Sequence, residues 1–211
     1  YIFKGAKKPA ILKDKINYQV MDSNTWGHAP SFDKTANDTL TYYFSNMRSK
    51  AIFKSTYNTG NLGVNEHFKL AKEANSNKYL EQKIDFSDRG QYSWNSSGGS
   101  SIISESLTIG EGFSFATEVF KEDLELSGSF HGAFEVAINK KDFDCNILWY
   151  EQTADGKFHT LSLPFVGRAS LSRNIEKREL LTPNTKTSFP FTNVRMTSKM
   201  IKKGSRLVII I

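Results

Sequence analysis

Residues 122–162 read EDLELSGSFHGAFEVAINKKDFDCNILWYEQTADGKFHTLS, and the period of this stretch decides the fold. Apolar and polar residues alternate, which is the signature of strands buried on one face. Leu124, Leu126 and Phe130 fall on one face of the first ribbon, and Phe134, Val136 and Ile138 on one face of the second. Cys145, Ile147 and Trp149 line the third, where Cys145 reads as a small packed hydrophobe. Asp155-Gly156 then marks a hairpin, because this pair readily supplies the positive φ of a tight turn.

The same alternation extends in both directions. Upstream it appears in KINYQVM (Ile16, Tyr18, Val20), DTLTYYF (Leu40, Tyr42, Phe44), YLEQKIDF (Leu80, Ile84, Phe86) and GFSFATEVF. Downstream it appears in TSFPFTNVRM and SRLVIII, with Pro190 placing its strand at an edge or a bulge. Roughly nine or ten short strands, without the amphipathic helices of βαβ units, predict an all-β fold, a β-sandwich or jelly roll. Residues 60–78, including VNEHFKLAKEANSN, fit a short helix or a further strand equally well. Residues 1–15 read as an arm or linker, and residues 16–211 as the sandwich. The abrupt Tyr1 and the final RLVIII give the expectation of a piece cut from a longer protein.

A chain of 211 residues buries enough surface to fold without covalent staples, and its single cysteine excludes a disulfide framework. No apolar run reaches the ~20 residues that span a bilayer, so no membrane partner is expected. The formal charge of +6 comes from small basic groups interleaved with acids. No nucleic-acid motif accompanies them, and a solvated face is the expectation.

Chemistry-bearing patterns are sparse. The nucleophile elbow G-x-S-x-G is absent, since GSFHG (128–132) carries Phe130 at its centre. The four histidines, His28, His67, His131 and His159, show no metal spacing, and His159 reads as an outward-facing strand residue. His28 in NTWGHAP is expected in a loop at the mouth of the sandwich, facing solvent, with Trp26 capping the core edge. Asp142 and Asp144 form a D-x-D that could contribute to a calcium site, but two carboxylates fit a turn better. No cofactor or metal is expected. Asn37 and Asn95 stand in glycosylation sequons that matter only in a eukaryotic secretory pathway. DRGQYSWNSSGGSS (88–101) reads as a long loop carrying Tyr92 and Trp94.

Together these motifs resemble the C-terminal jelly-roll domain of the X-prolyl dipeptidyl aminopeptidase and cocaine esterase (CocE/NonD) family of serine hydrolases. The likeness rests on Glu125-x-Ser127-Gly128, Asp142-x-Asp144 and the Asp155-Gly156 hairpin. INYQVMDSNTW is similar to the opening of that domain, and LLTPNTKTSFPFTNVRMTSKMIKKGSRLVIII to its close, including the turn of Lys203, Gly204 and Arg206. The resemblance implies that the catalytic Ser, Asp and His belong to an α/β-hydrolase domain of the same parent chain, which would be this chain's partner. It transfers no catalytic role to His28. It implies a noncatalytic module packed on the hydrolase, with Tyr92 and Trp94 as candidates for a wall of the substrate pocket. The resemblance implies a jelly-roll β-sandwich that is galactose-binding-domain-like, a shape that also serves as a carbohydrate-binding module; that is the alternative, because Trp26, Tyr92 and Trp94 are expected in loops where sugar rings could stack. A free-standing structural protein and a homo-oligomer also stay open, and nothing in the sequence assigns a compartment.

Overall fold

The computed structural model describes residues 3–57, 62–74, 78–84, 102–110 and 112–211. Tyr92 and Trp94 lie outside the described residues, as does Asn95. The architecture is all-β. Its strands in order are β1 (Ile16–Val20), β2 (Thr25–Ala29), β3 (Tyr43–Tyr57), β4 (Leu62–Ala71), β5 (Ile103–Ser104), β6 (Leu107–Gly110), β7 (Ser114–Ala116) and β8 (Leu124–Gly128). They continue with β9 (His131–Val136), β10 (Asp144–Gln152), β11 (Phe158–Thr160), β12 (Phe165–Arg168), β13 (Thr187–Thr192), β14 (Thr197–Ile201) and β15 (Arg206–Ile210). Among the described residues helical geometry is confined to two short 3-10 turns, Phe32–Lys34 and Ala169–Leu171.

The main sheet runs β5-β11-β10-β15-β7-β4-β3-β6, with β12 also pairing β10. Three antiparallel pairs, β1-β2, β9-β13 and β8-β14, complete the sandwich. The core between layers is built from Cys145, Ile147 and Trp149 of β10, Phe189 and Phe191 of β13, Ile201 of β14 and Leu207 of β15. Leu124, Leu126, Phe134 and Val136 close it from the facing layer, as their alternation predicts. Phe130 stacks on Trp149 with ring centroids 5.0 Å apart.

A second core lies on the other face of the main sheet and holds Leu107, Ile109, Phe158, Val208 and Ile210, with Leu148 and Tyr150 packed against it. Strands β10 and β15 are therefore covered on both faces. This explains why LVIII is continuously apolar where a half-buried strand would alternate. Pro190 sits on β13, which pairs with β9 alone, so its missing N–H breaks no ladder. Gly156 takes φ 87° in the β10–β11 hairpin, as Asp-Gly predicts.

One open reading is resolved and two expectations need correction. The undecided stretch 60–78 contains a strand, β4, antiparallel to β3. The strand expected in YLEQKIDF does not form over residues 78–84, which hold no ladder partner and are mostly exposed. TWGHA is strand β2 and no loop: Trp26 is 42% exposed, while His28 is half-buried with Nδ1 2.8 Å from Asn17 Oδ1.

Candidate functional site

Among the described residues a charged cluster in the interior centres on Lys199. Strand β14 alternates buried and half-buried positions, and Lys199 occupies an inward one between Thr197 and Ile201. Its side chain is 2% exposed, yet it carries an ammonium. On β10 the inward series Cys145, Ile147, Trp149 ends in Glu151, whose side chain is 1% exposed. Lys199 Nζ lies 3.1 Å from Glu151 Oε2. That oxygen receives no hydrogen bond, so the ion pair is what compensates its burial.

The third member comes from the β1–β2 turn. Asp22 and Asn24 both adopt left-handed backbone, φ 65° and 54°, a region in which Asp and Asn are the best tolerated non-glycine residues. Gln19 Nε2 donates to Asn24 Oδ1 at 3.0 Å, and Ser23 Oγ donates to the Val20 carbonyl at 3.1 Å. The hairpin is tied to β14 by Met21 N donating to Ser198 O (3.1 Å) and Met200 N donating to Met21 O (2.8 Å). Those bonds seat Asp22 Oδ2 in direct contact with Lys199 Nζ.

His159 of β11 stands opposite Glu151 in register, and ligand atoms of Asp22, Glu151 and His159 lie within 4.8 Å of one another. The expectation that His159 simply faces solvent is thus corrected: it is half-buried beside two carboxylates. Such a donor set has the spacing of a cation site, but the Lys199 ammonium already supplies the positive charge there. Burial, with repulsion from Lys202 second, holds the Lys199 ammonium below the ordinary lysine range.

Asp142 and Asp144 are engaged elsewhere. Asp142 accepts from Phe143 N (3.0 Å), Ser170 N (2.8 Å), Ser170 Oγ (2.7 Å) and Arg178 Nη2 (2.7 Å). Burial opposes its ionisation, but the Arg178 and Ser170 hydrogen bonds outweigh it and lower the carboxyl to about 2. Asp144 accepts from Arg168 Nε (2.7 Å) and Nη2 (3.2 Å), which lowers its pKa as well. Each aspartate is thus held by its own arginine, and the pair works as a strand-entrance clamp that pins residues 168–178 to β10.

Among the described residues one Ser–His pair is hydrogen-bonded. His67 Nδ1 of β4 lies 2.5 Å from Ser114 Oγ of β7, but the residues are 0% and 1% exposed. A substrate carbonyl has no route to that hydroxyl in this packing. Cys145 is equally enclosed, its thiol pushed up to about 12 by burial. On the surface, an open groove of about 650 Å³ runs between the β3–β4 edge and the segment before β8, lined by Leu40, Tyr42, Met47, Lys72, Val119 and Phe120. The Lys72 ammonium sits 4.0 Å from the centre of the Tyr42 ring.

The sequence matches no family model and no curated protein. Solved structures do match. An α-amino acid ester hydrolase is 14% identical with a TM-score of 0.55, over 98% of this chain and 34% of its own. A CocE/NonD family hydrolase from Staphylococcus aureus is 13% identical with a TM-score of 0.54, over 91% of this chain and 31% of its own. The fold is one that CocE/NonD family hydrolases contain. An aminopeptidase from the marine sediment archaeon Thaumarchaeota archaeon, at 10% identity and a TM-score of 0.52, shares it over 93% of this chain and 32% of its own. The chain spans about a third of the length of these structures.

Proposed function

We propose that this chain is a noncatalytic β-sandwich module of a larger serine hydrolase of the X-Pro dipeptidyl-peptidase or acyl-esterase type. The observation that carries the reading is the lopsided coverage: the fold likeness takes in more than nine-tenths of this chain and only a third of each hydrolase. The enclosure of Ser114 and His67 supports it, because an acyl-enzyme needs a nucleophile that substrate can reach. In this reading the module packs on the α/β-hydrolase domain of the same parent chain. The segment bearing Tyr92 and Trp94 contributes a wall of the substrate pocket.

The test is hydrolysis of an X-Pro p-nitroanilide and a p-nitrophenyl ester by this chain alone. The expected result is no turnover above buffer. Turnover that survives repurification and is abolished by Ser114→Ala overturns the reading. A carbohydrate-binding module is the second reading, favoured by the exposed Trp26. Calorimetric titration with a glycan panel separates the two: saturable binding lost in Trp26→Ala or Trp94→Ala establishes the second at the expense of the first.

A further inference from the structure

The Lys199 cluster holds the parts of a condensation reaction. An amine attacks a carboxyl group when three conditions meet: the nitrogen is desolvated enough to shed its proton, the carboxyl carbon is held against it, and a third group moves protons between them. Lys199 is enclosed in the sandwich, Asp22 is in direct contact with its Nζ, and Glu151 presents a buried oxygen 3.1 Å from the same nitrogen. Lys199 and Asp22 belong to different strand pairs and are fixed by backbone bonds on both sides of Met21, so the contact does not depend on two mobile side chains finding each other.

We propose that Lys199 and Asp22 form an intramolecular isopeptide bond, with Glu151 as the proton-transfer residue. The Nζ–Cγ bond forms and one Cγ–Oδ bond of Asp22 breaks. Glu151 carries two protons in turn from Nζ to the departing oxygen, which leaves as water. Ammonium and carboxylate become a neutral amide plus one water, Glu151 returns to its starting state, and no oxidant, metal or cofactor enters the balance. His159, the remaining titratable group at the cluster, stands beside both carboxylates, and Lys202 adds positive charge from the strand end. The reaction is self-limiting, and its product is a covalent weld between the β1–β2 hairpin and β14. A module built this way keeps its outer hairpin attached under conditions that would otherwise peel it away. The inference is independent of the hydrolase-module reading.

Intact mass spectrometry of the purified folded chain, followed by proteolysis and fragment sequencing, decides it. The expected mass is below the sequence mass by one water molecule, with a branched peptide joining the Asp22 segment to the Lys199 segment. Under denaturing electrophoresis the welded chain migrates ahead of Asp22→Ala, which has the full sequence mass for its composition. Glu151→Gln, checked for folding by circular dichroism, is expected to leave Lys199 and Asp22 unjoined; retention of the branched peptide there removes Glu151 from the reaction. The full sequence mass in the folded natural chain overturns the bond itself, whether or not the variants fold. A water loss that maps to a linear peptide, such as an imide at Asp155-Gly156, overturns it equally.

Discussion

Lys199 Nζ and Glu151 Oε2 are 3.1 Å apart, and neither side chain is more than 2% exposed. An ion pair in that environment is held together by mutual dependence, because each partner alone is a charge removed from water. In the Asp22→Ala background, where Lys199 keeps its charge, Lys199→Met leaves Glu151 buried without its cation and is expected to cost about 3–5 kcal/mol. Adding Glu151→Leu to Lys199→Met recovers most of that loss, since two apolar side chains of similar volume tolerate the site. Chemical denaturation of Lys199→Met, Glu151→Leu and their combination, all in the Asp22→Ala background, checks this. Additive losses contradict the pairing.

The D-x-D clamp gives a pH dependence with a definite sign. Asp142 is lowered in the folded chain from 3.8 to about 2. The unfolded chain therefore binds more protons at acid pH, so the stabilisation is fully present above the unfolded value and is lost as pH falls from about 4 through about 2. Asp142 is partly solvated, and screening limits the effect to on the order of 1 kcal/mol. Asp142→Asn removes that stretch of acid dependence and loosens residues 168–178. Thermal melts of both proteins between these pH limits provide the measurement, and parallel curves for the two contradict it.

How much of this was legible in the sequence depended on whether a signal was local. The inward face of β10 was readable from Cys145, Ile147 and Trp149 because a strand repeats every two residues, and the same count continued once more reaches Glu151. In β14 it runs from Thr197 through Lys199 to Ile201. A charge at a core position of each strand, opposite in sign, is the clue to the cluster that the sequence carries. Asp22 carried no such clue. Its place beside Lys199 depends on a hairpin docking on a strand from the other end of the chain, and no pattern within either segment encodes that meeting. His67 was hidden by the ambiguity of residues 60–78, and only the parallel pairing of β4 with β7 brings it to Ser114. YLEQKIDF alternated without forming a strand over its described part, because alternation specifies a face to bury and not a partner to bury it against.

The thiol of Cys145 is 7% exposed and raised to about 12. At mildly alkaline pH its thiolate fraction is on the order of 10³-fold below that of a free cysteine, and access is blocked as well. Labelling by a disulfide reagent is expected to be slower by at least that factor in the native chain and to become immediate in denaturant. Rapid native labelling contradicts the packing assigned to β10.

Gly27 of β2 stands opposite Tyr18 of β1, and a Cβ at this position would fall into the Tyr18 ring. The ring in turn places its hydroxyl where it donates to the Thr35 carbonyl at 3.1 Å, pinning the segment after β2. A methyl group at residue 27 cannot be absorbed by the far end of a flexible side chain, because the atoms it meets belong to a planar ring already held at its tip. Gly27→Ala is therefore expected to displace Tyr18, break its bond to Thr35 and cost about 1–3 kcal/mol. Tyr18→Phe removes the bond without the clash and is expected to cost about 1 kcal/mol. Combining Gly27→Ala with Tyr18→Ala relieves the collision, so the double variant should lose less than the sum of its singles. Denaturation midpoints of the natural chain, Gly27→Ala, Tyr18→Ala and the double variant test this coupling. Strict additivity shows that the ring does not cover Gly27 in solution.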